Sequence, residues 1–167
     1  MIKIGKNISR FSTYSCKPAD KNELVKIIES RIEKEGNECN LNDIDTSLVT
    51  DMCWLFYKSE FNGNISNWDV SNVKRMIGMF YESSFNGDIS NWNTSNVEDM
   101  WGMFVMSKFN QDISKWDISN VKDMRNMFSE SFFNKNISKW KINKSCDTRA
   151  MFNKIIFNDE FKPKSLQ

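Results

Sequence analysis

The chain has 167 residues and a mass of 19.7 kDa, long enough for one domain with a hydrophobic core. Hydrophobic residues make up 40% and charged residues 27%, a balance that fits neither a disordered nor a membrane-embedded chain. A net charge of +1 gives no overall pull towards nucleic acid or membrane, and the lack of histidine removes the commonest general base and zinc ligand.

In chain order, the start has no apolar run of the secretory kind, and no stretch approaches the ~20 apolar residues of a membrane span. The expected location is cytoplasmic, or the cell surface if a leader has been removed. Ile2, Ile4, Ile8 and Phe11 predict one or two short strands. "DKNELVKIIESRIEKEG" predicts a helix over 20–35, with Asp20 and Glu23 as a capping box and Gly36 as a stop. Leu24, Ile27, Ile28 and Ile32 form its apolar face. Residues 1–36 are therefore expected to form an N-terminal cap over the first repeat.

From residue 37 to 161 the sequence repeats every 24 residues. Phe61, Phe85, Phe109, Phe133 and Phe157 share one slot, each followed by Asn, and Trp68, Trp92, Trp116 and Trp140 share another. Val49, Val73, Val97 and Val121 come next. Pairs such as Met76/Met79 and Met100/Met103 follow, each ending on a Phe, as in Phe80 and Phe104. A fixed period of this size marks stacked repeats, none of which can bury its apolar face alone. The alternation in W-D-V predicts a short parallel strand, and the steps of three and four in "VKRMIGMF" predict a short helix. The expected fold is an α/β solenoid of about five coils, a strand and a helix in each, ending in a tail over 162–167. The tryptophans and methionines read as core columns, and the repeated asparagines as partners for turn amides.

The composite coil "FNGDISNWDVSNVKDM", assembled from residues 85–92, 69–72 and 121–124 and closed by a Met-Phe pair, resembles the BspA-like leucine-rich repeats of bacterial surface proteins and mycoplasma lipoproteins. The likeness covers about residues 37–161. It implies a right-handed, leucine-rich-repeat-like solenoid used as an adhesin or interaction module, with no catalytic residues to carry over.

No phosphate-cradling loop, metal-ligand spacing or nucleophile–base pair can be assembled, so no enzyme activity, cofactor or metal is expected. Cys16, Cys39, Cys53 and Cys146 show no C-x-x-C spacing and read as free thiols.

Two surfaces stand out. Flanking the Trp slot, the expected outward strand positions include Asp43, Asp45, Asn67, Asp69, Asn91, Asn93, Lys115, Asp117, Lys139 and Lys141. They run from acidic to basic, and residues 37–60 hold one lysine against five carboxylates while 133–167 hold eight basic residues against three acidic ones. These are the expected partner-binding residues. The second surface gathers apolar residues that the repeat does not require: Ile77, Tyr81, Trp101, Val105 and the nearby Met106. It is expected to serve weak self-association or an additional contact. Together these features predict a non-catalytic module that binds or inhibits a protein partner inside the cell, with no membrane contact. Two alternatives stay open: a surface adhesin for host matrix proteins, and a nucleic-acid binder using the basic end around Lys144, Arg149 and Lys154.

Overall fold

The structure, a computed structural model, describes residues 14–167. The strands expected around Ile2, Ile4, Ile8 and Phe11 lie outside the described residues.

The segment Val73–Ser83 shows how one repeat joins the next. Amide hydrogens alternate in direction along it. Those of Met76, Gly78, Phe80 and Glu82 donate to carbonyls of Asp99, Trp101, Met103 and Val105 in the following unit, at 2.8–2.9 Å. Those of Met79, Tyr81 and Ser83 close local turns onto Met76, Gly78 and Phe80 at 3.1–3.2 Å. A helix would direct every amide back along its own segment. Here every fourth residue has positive φ, 55° at Gly78 and 52° at Glu82, which breaks each turn before a helix can form. The same two slots hold Trp54 and Lys58, Gly102 and Met106, Asn126 and Glu130, and Ala150 and Lys154.

The α/β solenoid with a parallel strand and a helix in each coil is therefore not what the chain forms. Among the described residues there is no sheet, and pairing is confined to isolated parallel bridges such as Asp51 with Arg75 and Arg75 with Asp99. W-D-V is not a strand because β-turns flank it: Trp68 donates to the Ile65 carbonyl at 3.1 Å and Val73 to that of Val70 at 2.9 Å. The regular elements among the described residues are one α-helix, α1 (Lys21–Glu35), and 3-10 turns at Asp159–Phe161 and Lys164–Leu166.

What holds the units together is a set of buried columns. Phe56, Phe80, Phe104 and Phe128 stack at 5.5–5.7 Å with planes within 4°. Phe61, Phe85, Phe109 and Phe133 stack beside them at 6.1–6.4 Å. The rings of Trp68, Trp92, Trp116 and Trp140 are buried, and each donates its Nε1–H to a carbonyl in the preceding unit, as from Trp92 to Ile65 at 3.2 Å. The methionines at 52, 76, 100 and 124 are fully buried. Outside the core, Asn62, Asn86 and Asn110 each accept the amide of the equivalent Asn one unit on, at 2.8–3.0 Å.

α1 starts at Asp20, whose carboxylate accepts the amides of Asn22 and Glu23, while Glu23 Oε2 accepts the amide of Ala19. Leu24 and Ile28 bury against the first unit, and Arg31 binds Asp43 at 3.0 Å and the Asn40 carbonyl at 2.9 Å. At the other end the Phe161 carbonyl accepts from Ile137, and Lys162 lies over the Phe152 ring at 5.8 Å. Among the described residues no helix is long and apolar enough to cross a membrane.

Candidate functional site

The residues flanking the Trp column have local work. Asp45, Asp69, Asn93 and Asp117 each open a turn, their Oδ1 accepting the amide of the Ser two residues on at 2.9–3.2 Å. Asn67, Asn91, Lys115, Lys139 and Lys141 are exposed, so two columns of polar side chains run along this face. They stand on turns, not strands.

The acidic end of the expected gradient is consumed within the chain. Asp43 bonds the Ser15 hydroxyl and the Arg31 guanidinium, which together hold its carboxyl below the usual range, the serine contributing more. Asp45 is held low by Ser47 first and then by Lys17, 2.9 Å away. The charged side chains that stay exposed on this face are Asp69 and Asp117 with Lys115, Lys139 and Lys141.

The apolar residues arrange themselves differently. Ile77 is half-buried and Val105 buried, while Met106 is 43% exposed. Tyr81 and Trp101 belong to a larger cluster with Trp54 and Tyr57, which are 41% and 46% exposed. Trp54 is its hub, with ring centroids 5.5 Å from Tyr57, 5.8 Å from Tyr81 and 5.9 Å from Trp101. Tyr57 and Tyr81 are 5.7 Å apart. The four rings line an open groove of about 470 Å³.

The repeat explains how rings from three successive units meet. Trp54 occupies a positive-φ slot that holds Gly in the next two units. Its ring lies across Gly78, where a Cβ would come within 2.2 Å of Trp54 Cζ3. With no side chain there, Trp54 reaches over the second unit to Trp101 in the third. Tyr57 and Trp54 were both missed from the sequence, and the more consequential miss was Trp54. Its signal was a large aromatic standing where the next two repeats carry glycine.

Beside the rings, Lys58 Nζ sits over Tyr57 at 5.3 Å and 3.4 Å from Glu82. Three or four residues before the slot of Trp54 in each unit runs a charged groove of about 510 Å³, lined by Asp51, Lys74, Arg75, Glu98, Asp99, Lys122 and Asp123. Its charges answer one another: Arg75 binds Asp51, and Lys74 and Lys122 flank Glu98 at 3.6 and 2.6 Å. Burial raises the Asp99 carboxyl above its ordinary value. Among the described residues no group of three or more His, Cys, Asp or Glu side chains is placed to hold a metal. The aromatic groove is thus an apolar surface with a charged border, suited to contact.

A family model described as "Mycoplasma protein of unknown function, DUF285" matches residues 28–131 and again 81–163. No curated protein and no solved structure matches the chain.

Proposed function

We propose that this chain, which belongs to the DUF285 family of Mycoplasma proteins of unknown function, is a non-catalytic repeat module that binds a protein partner through the Trp54/Tyr57/Tyr81/Trp101 face. One observation carries this reading: four aromatic rings touch one another at the surface, in slots where the repeat itself needs no aromatic. Tyr and Trp are the residue types that supply most binding energy at the centre of an interface. A border of paired charges, which sets orientation and excludes water, is the usual surrounding of such a centre. The exposed columns of Asp69, Asp117, Lys115, Lys139 and Lys141 would add steering along the neighbouring surface.

The setting inside the cell, as a binder or inhibitor, is part of the same proposal. Likeness of the repeat to BspA-like repeats of bacterial surface proteins supports a second reading, in which the same face grips a host matrix protein. Fractionation of native cells separates the two.

The test uses a partner identified by co-purification and then measured as a purified pair. Replacing Tyr81 and Trp101 together by Ser should raise Kd by roughly 100-fold with the thermal melt little changed. An unaltered Kd in that folded variant overturns the assignment of the face.

A further inference from the structure

The last unit ends in a row of donors without acceptors. Along the stack, alternate amides of one unit reach carbonyls of the next. The final junction of this kind runs from Met124, Asn126, Phe128 and Glu130 to Asp147, Arg149, Met151 and Asn153, at 2.8–3.1 Å. The equivalent amides one unit on belong to Thr148, Ala150, Phe152 and Lys154, and none of them has a hydrogen-bond partner among the described residues. The carbonyls of Asp147, Arg149, Met151 and Asn153 are already engaged by the preceding unit, so the row presented by this ribbon is one of donors.

The geometry points to this row as a docking edge for a short acidic peptide segment of a partner protein, added in parallel register as one more rung of the stack. Register follows from the column of parallel bridges that ends on Asp123 and Asp147. Length follows from the tail, since Phe161 already occupies the other half of this end by pairing with Ile137. Among the described residues, the ribbon of about seven residues over 148–154 is left open beside it. The preference for acid follows from the charged slots. Arg125 is answered by Asp147 of the next unit at 3.6 Å, whereas Arg149, 76% exposed at its side chain, has only Asp147 of its own unit. A carboxylate at the first position of the incoming segment restores that pair. Beside the row, Ile156 is 99% exposed and offers apolar contact. A second copy of the chain does not fit at the repeat spacing, because α1 lies across its first unit through Arg31, Asp43 and Asn40. Edge addition of this kind takes affinity from main-chain hydrogen bonds and choice of partner from side chains.

The probe is a fluorescein-labelled synthetic peptide with the sequence of residues 97–107, which carries Glu98, Asp99 and the repeat's own carbonyl row. Fluorescence anisotropy should show saturable binding, weakened at least about tenfold by Arg149→Glu and unchanged by the Tyr81→Ser/Trp101→Ser pair. Amide exchange followed by NMR should show new protection at Ala150, Phe152 and Lys154 on binding. Lack of saturable binding, or binding with protection on the Trp54/Tyr57 face instead, overturns the proposal. So does protection at 150–154 that grows with protein concentration in the absence of peptide, which would make the occupant a second copy. Because the aromatic variant enters only as a control, failure here leaves the reading of the aromatic face standing.

Discussion

At the residue scale, the tryptophans and glycines make the sharpest demands. Trp92 is 4% exposed, lies parallel to Trp116 at 6.4 Å and bonds the Ile65 carbonyl through its indole N–H. Replacing it by Ala opens a cavity and removes one of the two hydrogen bonds to the Ile65 carbonyl, and is expected to cost about 4 kcal/mol in a denaturant titration. Gly78 is constrained by a neighbour more than by its own backbone, since Ala150 and Asn126 accept the same positive φ. Gly78→Ala should therefore cost clearly more in the native chain than in a Trp54→Ala background, where the ring it strikes is gone. Equal costs in both backgrounds would place the strain in the backbone. Two thiols, buried Cys53 and half-buried Cys146, add a pH signature. Burial, with a smaller push from Asp51, raises Cys53 to about 11, and burial raises Cys146 to about 11. Unfolded thiols ionise near 8.5, so the fold retains protons that the unfolded chain has lost. Melting temperature should consequently fall as pH rises from about 9 to 11, and Cys53→Ala with Cys146→Ala should flatten that decline.

At the element scale, the connecting ribbon and α1 show what a sequence can and cannot disclose. The columns were legible because burial imposes the same side-chain type at the same slot in every unit, as with Phe80, Phe104 and Phe128. α1 was legible because Asp20 and Gly36 mark its ends by local hydrogen bonding. The strand and helix inside each repeat were misread. Alternation in W-D-V and steps of three and four in the Met segment arise equally from chained turns, and only the positive φ at non-glycine slots such as Glu82 and Glu130 distinguishes them. Nothing in a glutamate announces that conformation. The polar face was half legible, since Asp43 and Asp45 face the first unit's cover and bind Arg31 and Lys17 instead of waiting for a partner. That cover is open to test. Leu24 is fully buried, and Leu24→Ala should destabilise the chain by about 3 kcal/mol in a thermal or denaturant melt. Asp43 is depressed below its unfolded value, so its contribution is present above about pH 4 and is lost as pH falls through the folded pKa.

At the scale of the whole molecule, the stacked units differ mainly in what they expose. Repetition fixes the inside, and departure from it writes the surface: Trp54 over Gly78, Trp101 where the next unit has Arg125, Tyr57 and Tyr81 where later units carry Val105 and Ser129. These departures fall together on one face of the first three units. The central claim is that this face meets the partner, and a photo-activated crosslinker tests it most directly. Introduced in place of Tyr57, and separately in place of Lys141, it is activated in native cells and the adducts are identified by mass spectrometry. The account predicts one dominant protein adduct from position 57 and none of the same protein from position 141. Adducts that form from position 141 while position 57 stays bare would contradict it.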